Sequence, residues 1–212
     1  MKYLIISILM IYTTVINAQQ NYKIPFASKD NTIELSVLNE SYTQINNLNV
    51  KAVEYPSWII IQNPEQKIKA LASNTENAVE FIFSVDKTAV VNKEQSISFA
   101  ISTPAGEVWM KQVKIVVTSP EKFELYQNYP NPFNPNTIIG FQLTDISKVN
   151  LKIYDILGRE VSALLDEVKE SGYHEVEIDG NNFSSGIYFY QITVKDQSGK
   201  TTVARKKMML LR

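Results

Sequence analysis

The chain has 212 residues, with 21 Lys and Arg against 22 Asp and Glu, a net charge of −1, and no cysteine. The balanced charge gives no overall field toward nucleic acid or an acidic lipid surface. The lack of cysteine excludes disulfides, thiolate metal sites and a cysteine nucleophile, so each of the one or two domains that fit this length must be held by its own core.

At the N-terminus, Lys2 precedes an apolar stretch from Leu4 to Ile16. Its length suits a signal peptide; it falls short of the about 20 apolar residues of a membrane-spanning helix, and Thr13 and Thr14 interrupt it. Val15-Ile16-Asn17-Ala18 places a small residue ahead of Gln19. Residues 1–18 therefore read as a signal peptide cut after Ala18, the competing reading being an uncleaved anchor. No cysteine follows to accept a lipid.

A first β-rich unit is expected over residues 19–119. Ile33, Leu35 and Val37 alternate with polar neighbours, as do Val79, Phe81, Phe83 and Val85. This is the period of a half-buried strand. Leu48 to Val53 follows it less regularly, and Ser96 to Ile101 and Val113 to Val117 follow it again. Turn signals separate these runs at Lys29-Asp30-Asn31, Ser73-Asn74 and Pro104-Ala105-Gly106, which predicts a β-sandwich. Trp58 is expected to anchor the core. Pro64 to Ala72 is ambiguous and allows a turn of helix. Ser119-Pro120 marks the linker, since proline turns the preceding residue away from helix.

A second unit is expected over residues 120–212. Tyr129-Pro130, Asn131-Pro132 and Asn134-Pro135 lack the donors of a central strand, so this segment should cross the sandwich extended, with Phe133 plugging the interior and the asparagines serving backbone groups. Strands are predicted over Thr137 to Leu143 and through Val149, Leu151 and Ile153. Leu157-Gly158-Arg159 forms a tight turn, with Gly158 at positive φ. Val161 to Leu165 then leads into a loop ending at Ser171-Gly172. Strands over Tyr173 to Ile178, Ile187 to Val194 and Thr201 to Leu211 complete the unit. The expected class is all-β: two Ig-like β-sandwiches in tandem after a signal peptide.

The residues offer little chemistry. The single histidine, His174, lies in a predicted strand of the second unit and reads as a surface or edge-strand residue, not a general base or metal ligand. The carboxylates of the first unit, among them Glu34, Glu76 and Glu80, stand singly along the chain; a glycosidase would need two brought about 5–10 Å apart. Asp179-Gly180-Asn181-Asn182 lacks the alternating oxygens of a calcium loop and reads as a hairpin turn. No phosphate-binding glycine loop is present, and no basic cluster with exposed aromatics marks nucleic-acid binding. No catalytic, cofactor or metal residue is assigned. Trp58 and Trp109 could stack a sugar only if both were exposed.

The segment from 126 to 212 contains YQNYPNPFNPNTIIGFQL, LKIYDILGREV, GYHEVEIDG, SSGIYFYQITV and KKMMLLR in that order. It resembles the type A C-terminal sorting domain of the type IX secretion system, the Por secretion tail, an Ig-like fold also likened to flagellar hook-cap domains. Ile178 stands where that family often has Trp, and Gly140 where it often has a polar residue. The resemblance implies an opening motif at Tyr129, Pro130, Asn131, Pro132 and Phe133. It implies a central strand and turn with Tyr154, Asp155 and Gly158, a signature strand with Gly186 and Tyr188, and a terminal element with Lys206 and Lys207. It also implies passage through the general export channel, then the type IX outer-membrane translocon, whose sortase-like peptidase removes the tail and joins cargo to a lipopolysaccharide-type anchor, or release of the cargo.

The chain is thus expected to be a secreted or surface-exposed cargo, not an enzyme, whose first unit is a structural or adhesive Ig-like module. The alternatives are a small carbohydrate-binding module, and a permanent, uncleaved structural Ig-like domain.

Overall fold

The computed structural model describes residues 3–8 and 21–211. Two compact units divide the chain, Met1–Thr118 and Ser119–Arg212. Among the described residues both are built of strands and turns, with no helix. The expected cut after Ala18 lies outside the described residues.

Unit 1 contains β1 (Tyr3–Ile8), β2 (Tyr22–Ile24), β3 (Asn31–Asn39), β4 (Ile45–Glu54), β5 (Ile59–Ile61), β6 (Glu65–Leu71), β7 (Thr75–Val85), β8 (Glu94–Ser102) and β9 (Val108–Val117). They form two sheets, ordered β1-β3-β7-β5 and β2-β9-β8-β4-β6. β1 runs parallel to β3, from Tyr3 opposite Thr32 to Ile8 opposite Val37. The predicted alternation places Ile33, Leu35 and Val37 of β3, with Phe81, Phe83 and Val85 of β7, in one buried cluster with Ile97, Phe99 and Ile101 of β8. Phe81 and Phe99 meet between the sheets with ring centroids 4.9 Å apart, within the range of favourable aromatic pairs. Each such fully buried side chain contributes about 1.5–3 kcal/mol, and together they form the sandwich core. Trp58 belongs to the same cluster.

Two features depart from the sequence expectation. Residues 64–72 hold no helix; β6 pairs antiparallel with β4, Ile68 opposite Leu48 and Leu71 opposite Ile45. Both Ile68 and Leu71 are buried, and their spacing of three looks helical in the sequence alone. Asn47 lies inside β4 at φ 55°, a conformation that Asn tolerates better than most residues. The β4–β6 register skips it; the irregular pattern of Leu48 to Val53 comes from Val53, an apolar residue left 41% exposed at the register shift between Ala52 and Glu54.

Unit 2 contains β10 (Glu124–Leu125), β11 (Asn136–Leu143), β12 (Ser147–Tyr154), β13 (Glu160–Lys169), β14 (Gly172–Asp179), β15 (Gly186–Asp196) and β16 (Thr201–Leu210). A three-stranded sheet, β10-β11-β14, faces a four-stranded one, β13-β12-β15-β16. Ile139 and Phe141 of β11 pack with Val149, Leu151 and Ile153 of β12, Tyr190 and Ile192 of β15, and Met208 and Leu210 of β16. This is an Ig-like sandwich with short hairpins (β12–β13, β15–β16), a β10–β11 connection that stays within one sheet, and crossings between the sheets at β11–β12, β13–β14 and β14–β15. The expected loop after Leu165 is strand instead: β13 continues to Lys169, opposite Ser147. Register shifts between Leu151 and Lys152 and between Ile153 and Tyr154 break its period of two.

One turn design recurs three times. Asp155 accepts the Gly158 amide at its carbonyl and donates its own amide to the Arg159 carbonyl, both at 3.0 Å. Asp196 with Gly199 and Lys200, and Thr103 with Gly106 and Glu107, repeat the pattern. In each the first residue's side chain also accepts the amide of the last, and the glycine has φ between 79° and 92°, where a side chain is strained. These turns fix the registers of the hairpins they close.

Candidate functional site

The proline-rich segment 127–135 does not pair as a ladder strand, yet it closes the free edge of β16. The Phe133 amide donates to the Met209 carbonyl at 2.9 Å, and the Leu211 amide donates to the Phe133 carbonyl at 3.0 Å. The Met209 amide donates to Asn131 Oδ1 at 3.0 Å, and Gln127 Nε2 donates to the Lys207 carbonyl at 2.8 Å. An uncovered edge is a template for unwanted pairing; this segment satisfies its last turns without a full strand. The Phe133 ring is buried in the unit 2 core, while Tyr129 is 82% exposed. Pro130 and Pro132 are also exposed.

A polar lock fixes the start of this segment. Asn128 is buried; its amide donates to the Tyr190 hydroxyl at 2.9 Å, and that hydroxyl donates to the Tyr126 carbonyl at 2.8 Å. Asn128 Nδ2 donates to the Pro130 carbonyl and to Thr137 Oγ1, both at 3.0 Å. Thr137 Oγ1 in turn donates to the Pro130 carbonyl at 2.8 Å. Burial pushes the Tyr190 phenol up to about 12, against the lowering effect of the Asn128 amide. Sequence reasoning missed Asn128, Thr137 and Tyr190 as a set; Thr137 and Tyr190 carry one signal, each a polar group at a position the strand alternation makes buried, whereas Asn128 lies outside the strands and carries none.

The remaining candidate residues separate by sheet face. Tyr188 is buried and its hydroxyl donates to the Ser184 carbonyl at 2.8 Å. Gly186 opens β15 opposite Leu210. Lys206 stands opposite buried Tyr190, on the inner side of β16, whereas Lys207 stands opposite Phe189 on the outer side. The two lysines therefore do not share a face. Tyr154 of β12 also stands opposite Phe189, which brings Tyr154, Phe189 and Lys207 into one row across the outer face. Arg205 lies in the next row, opposite Gln191, and donates to Gln191 Oε1 at 2.6 Å. Its guanidinium carbon sits 5.8 Å from the Tyr154 ring centroid, within cation–π range.

Asp155 and Gly158 build the turn beside this row. Asp155 Oδ1 accepts the Leu157 amide at 2.9 Å and the Arg159 amide at 3.0 Å, and Oδ2 pairs with Arg159 Nε at 2.7 Å. Partial burial works against the charge of this carboxylate, but the hydrogen bonds from Arg159 and Leu157 outweigh it and hold Asp155 below the ordinary carboxylate value. The rigid turn leaves Ile156 69% and Leu157 73% exposed.

Gly140 also has a local reason. A methyl group there would collide with the Tyr173 ring of β14, the strand directly paired with β11. His174 stacks on Phe141, 5.4 Å between centroids, and its Nε2 lies 2.8 Å from the Glu170 carbonyl oxygen. Asp179 Oδ1 accepts the Asn181 amide at 2.9 Å, as a turn would. In unit 1, Trp58 is buried and Trp109 packs against the same core, so the two indoles do not form an exposed stacking platform. Glu34 and Glu80, distant in sequence, are direct cross-strand neighbours on β3 and β7.

Comparison with known proteins bears on unit 2. Residues 127–208 match the family model described as the secretion system C-terminal sorting domain. No curated protein matches the chain. Among solved structures, dimeric latent PorU from Porphyromonas gingivalis is similar at 12% identity and a TM-score of 0.36, covering 93% of this chain and 19% of that one. The chain thus spans about a fifth of the length of PorU. The CupB2 chaperone of Pseudomonas aeruginosa is similar at 10% identity and a TM-score of 0.29, covering 88% of this chain and 96% of that one. Such scores are too low to establish a shared fold for the whole chain. The family match falls on a sandwich whose opening segment and last strand are bonded together and marks the C-terminal unit as a type IX secretion C-terminal sorting domain; the chain is cargo exported across the outer membrane to the cell surface or beyond.

Proposed function

We propose that unit 1 is a non-catalytic structural or adhesive module, carried to the cell surface by the sorting domain. The observation that supports this most is how unit 1 spends its residues. It has neither Cys nor His, and its core is one cluster of aliphatic and aromatic side chains. Nucleophile–His and thiolate or imidazole metal chemistry have no residues there. Glu34 and Glu80 are cross-strand neighbours, and they stand on the face of the sheet opposite the buried Ile33, Leu35 and Phe81.

Under this reading residues 1–18 lead the chain into the general export channel and are removed after Ala18. The outer-membrane translocon then takes the folded tail, and a sortase-like peptidase exchanges it for a lipopolysaccharide-type anchor or the cargo is released. The test is to titrate the exported protein with a panel of polysaccharides, following tryptophan emission and release of reducing ends. The reading expects blue-shifted emission that no glycan changes, and no new ends. Glycan-dependent quenching or hydrolysis would overturn it.

A further inference from the structure

We infer that the outer face of the β12–β15–β16 sheet, centred on Arg205, is where the sorting domain receives an acidic protein segment of its export machinery. The inference rests on the sorting role of unit 2 and names the surface that carries it.

The geometry is that of a small receiving site. A shallow depression of about 200 Å³ lies on this face, floored by Tyr154 and Phe189 and bordered by Ile156 of the turn and by Arg205. Its floor is aromatic and half-exposed, and Ile156 projects into solvent from a turn fixed by Asp155. The electrostatics are asymmetric across the sheet. On β12 and β13 the charges cancel in pairs, Lys148 with Asp166 at 3.1 Å and Lys152 with Glu160 at 2.8 Å. On β16, Arg205 and Lys207 have no carboxylate partner among the described residues. The carboxylate at the rim, Asp155, is committed to its turn amides and to Arg159.

Arg205 is also preorganised. One of its donors is held by Gln191 and its plane lies near Tyr154, so less side-chain freedom is lost when the remaining donors meet a carboxylate. An aromatic floor with one held guanidinium at its border, and Lys207 opposite Phe189 on the same face, suits a carboxylate beside an apolar side chain. A phosphate-bearing lipid surface would favour several convergent cations instead.

The test uses the full chain expressed in its own bacterium. Arg205→Glu combined with Lys207→Glu should lower the surface or medium fraction by about tenfold, with the chain accumulating in the periplasm. The charge-keeping pair Arg205→Lys with Lys207→Arg should retain most export, and Lys51→Glu in unit 1 should export normally. Equal thermal midpoints of the purified variants exclude a folding defect, and Arg205→Gln replaces the double reversal if that variant fails to fold. Normal export of a folded charge-reversed or Gln variant overturns the inference. The sorting role itself still stands if deletion of residues 126–212 blocks export. Sedimentation of the wild-type chain with phosphatidylglycerol vesicles, lost in the charge-reversed variant, would overturn it in favour of a lipid ligand; no sedimentation is expected.

Discussion

Asn131 and Met209, 78 residues apart, are joined by a hydrogen bond from the Met209 amide to the Asn131 side chain, at 3.0 Å. With the two backbone bonds between Phe133 and the end of β16, it ties the first residues of the sorting domain to the last. A terminal strand at a sheet edge frays unless something fixes it. Here the proline-rich segment does so, and its prolines lack the donors that would have made it another ladder strand.

The closure predicts a graded series. Phe133→Ala empties a buried ring site and should destabilise unit 2 by about 3–5 kcal/mol. Asn131→Ala removes one exposed hydrogen bond and should cost about 1 kcal/mol. Urea unfolding of the full chain, followed by tyrosine signals of unit 2, measures both. Equal effects would mean that the segment is not held through the Phe133 plug.

Tyr190 predicts an alkaline transition. Its folded value, about 12, lies above the about 10 of an unfolded tyrosine. The stability it contributes is therefore full below pH about 10 and is lost as pH rises through about 12. Tyr190→Phe should remove that loss, while costing about 1–3 kcal/mol at neutral pH because the Asn128 amide and Tyr126 carbonyl lose their partner. Denaturant midpoints at neutral and alkaline pH check both parts; an alkaline loss unchanged in Tyr190→Phe would contradict the assignment.

The turn carboxylates act at the other end of the scale. Asp196 is held low by its Ser198 hydrogen bond and turn amides, and Asp155 by Arg159 and Leu157. A depressed folded value means stability present above the ordinary value of 3.8 and lost as pH falls through the folded one. Acid unfolding should steepen below about pH 4, and Asp155→Asn should flatten that dependence. Titrating the unfolding midpoint of each variant with pH gives the comparison.

In unit 1, Glu34 opposite Glu80 is a like-charge pair, which sheets disfavour. Glu80→Lys should stabilise unit 1 by about 0.2–1 kcal/mol, an effect that salt should reduce. A loss of stability would show that the glutamates hold a partner instead.

Much of the fold was legible because unit 1 and unit 2 keep a period of two where both faces differ in solvation, as in β7, β12 and β15. Gly158 was legible because the turn requires a positive φ. The strand nature of β6 was hidden by buried residues spaced three apart, Ile68 and Leu71, and the length of β13 by a register shift and by charged residues on an edge. At the site, the family strings located the opening segment and β16, and the alternation rule could have separated Lys206 from Lys207. The Asn128–Tyr190 lock and the Arg205–Tyr154 contact depend on which strands become neighbours, which local sequence does not encode.

The central claim is that unit 2 directs export. Cell fractionation of bacteria producing the full chain or a chain lacking residues 126–212, with the mass of each recovered product, tests it most directly. The account predicts the full chain at the surface or in the medium and the shortened chain retained in the periplasm. A shortened chain that reaches the surface as efficiently as the full one would contradict it.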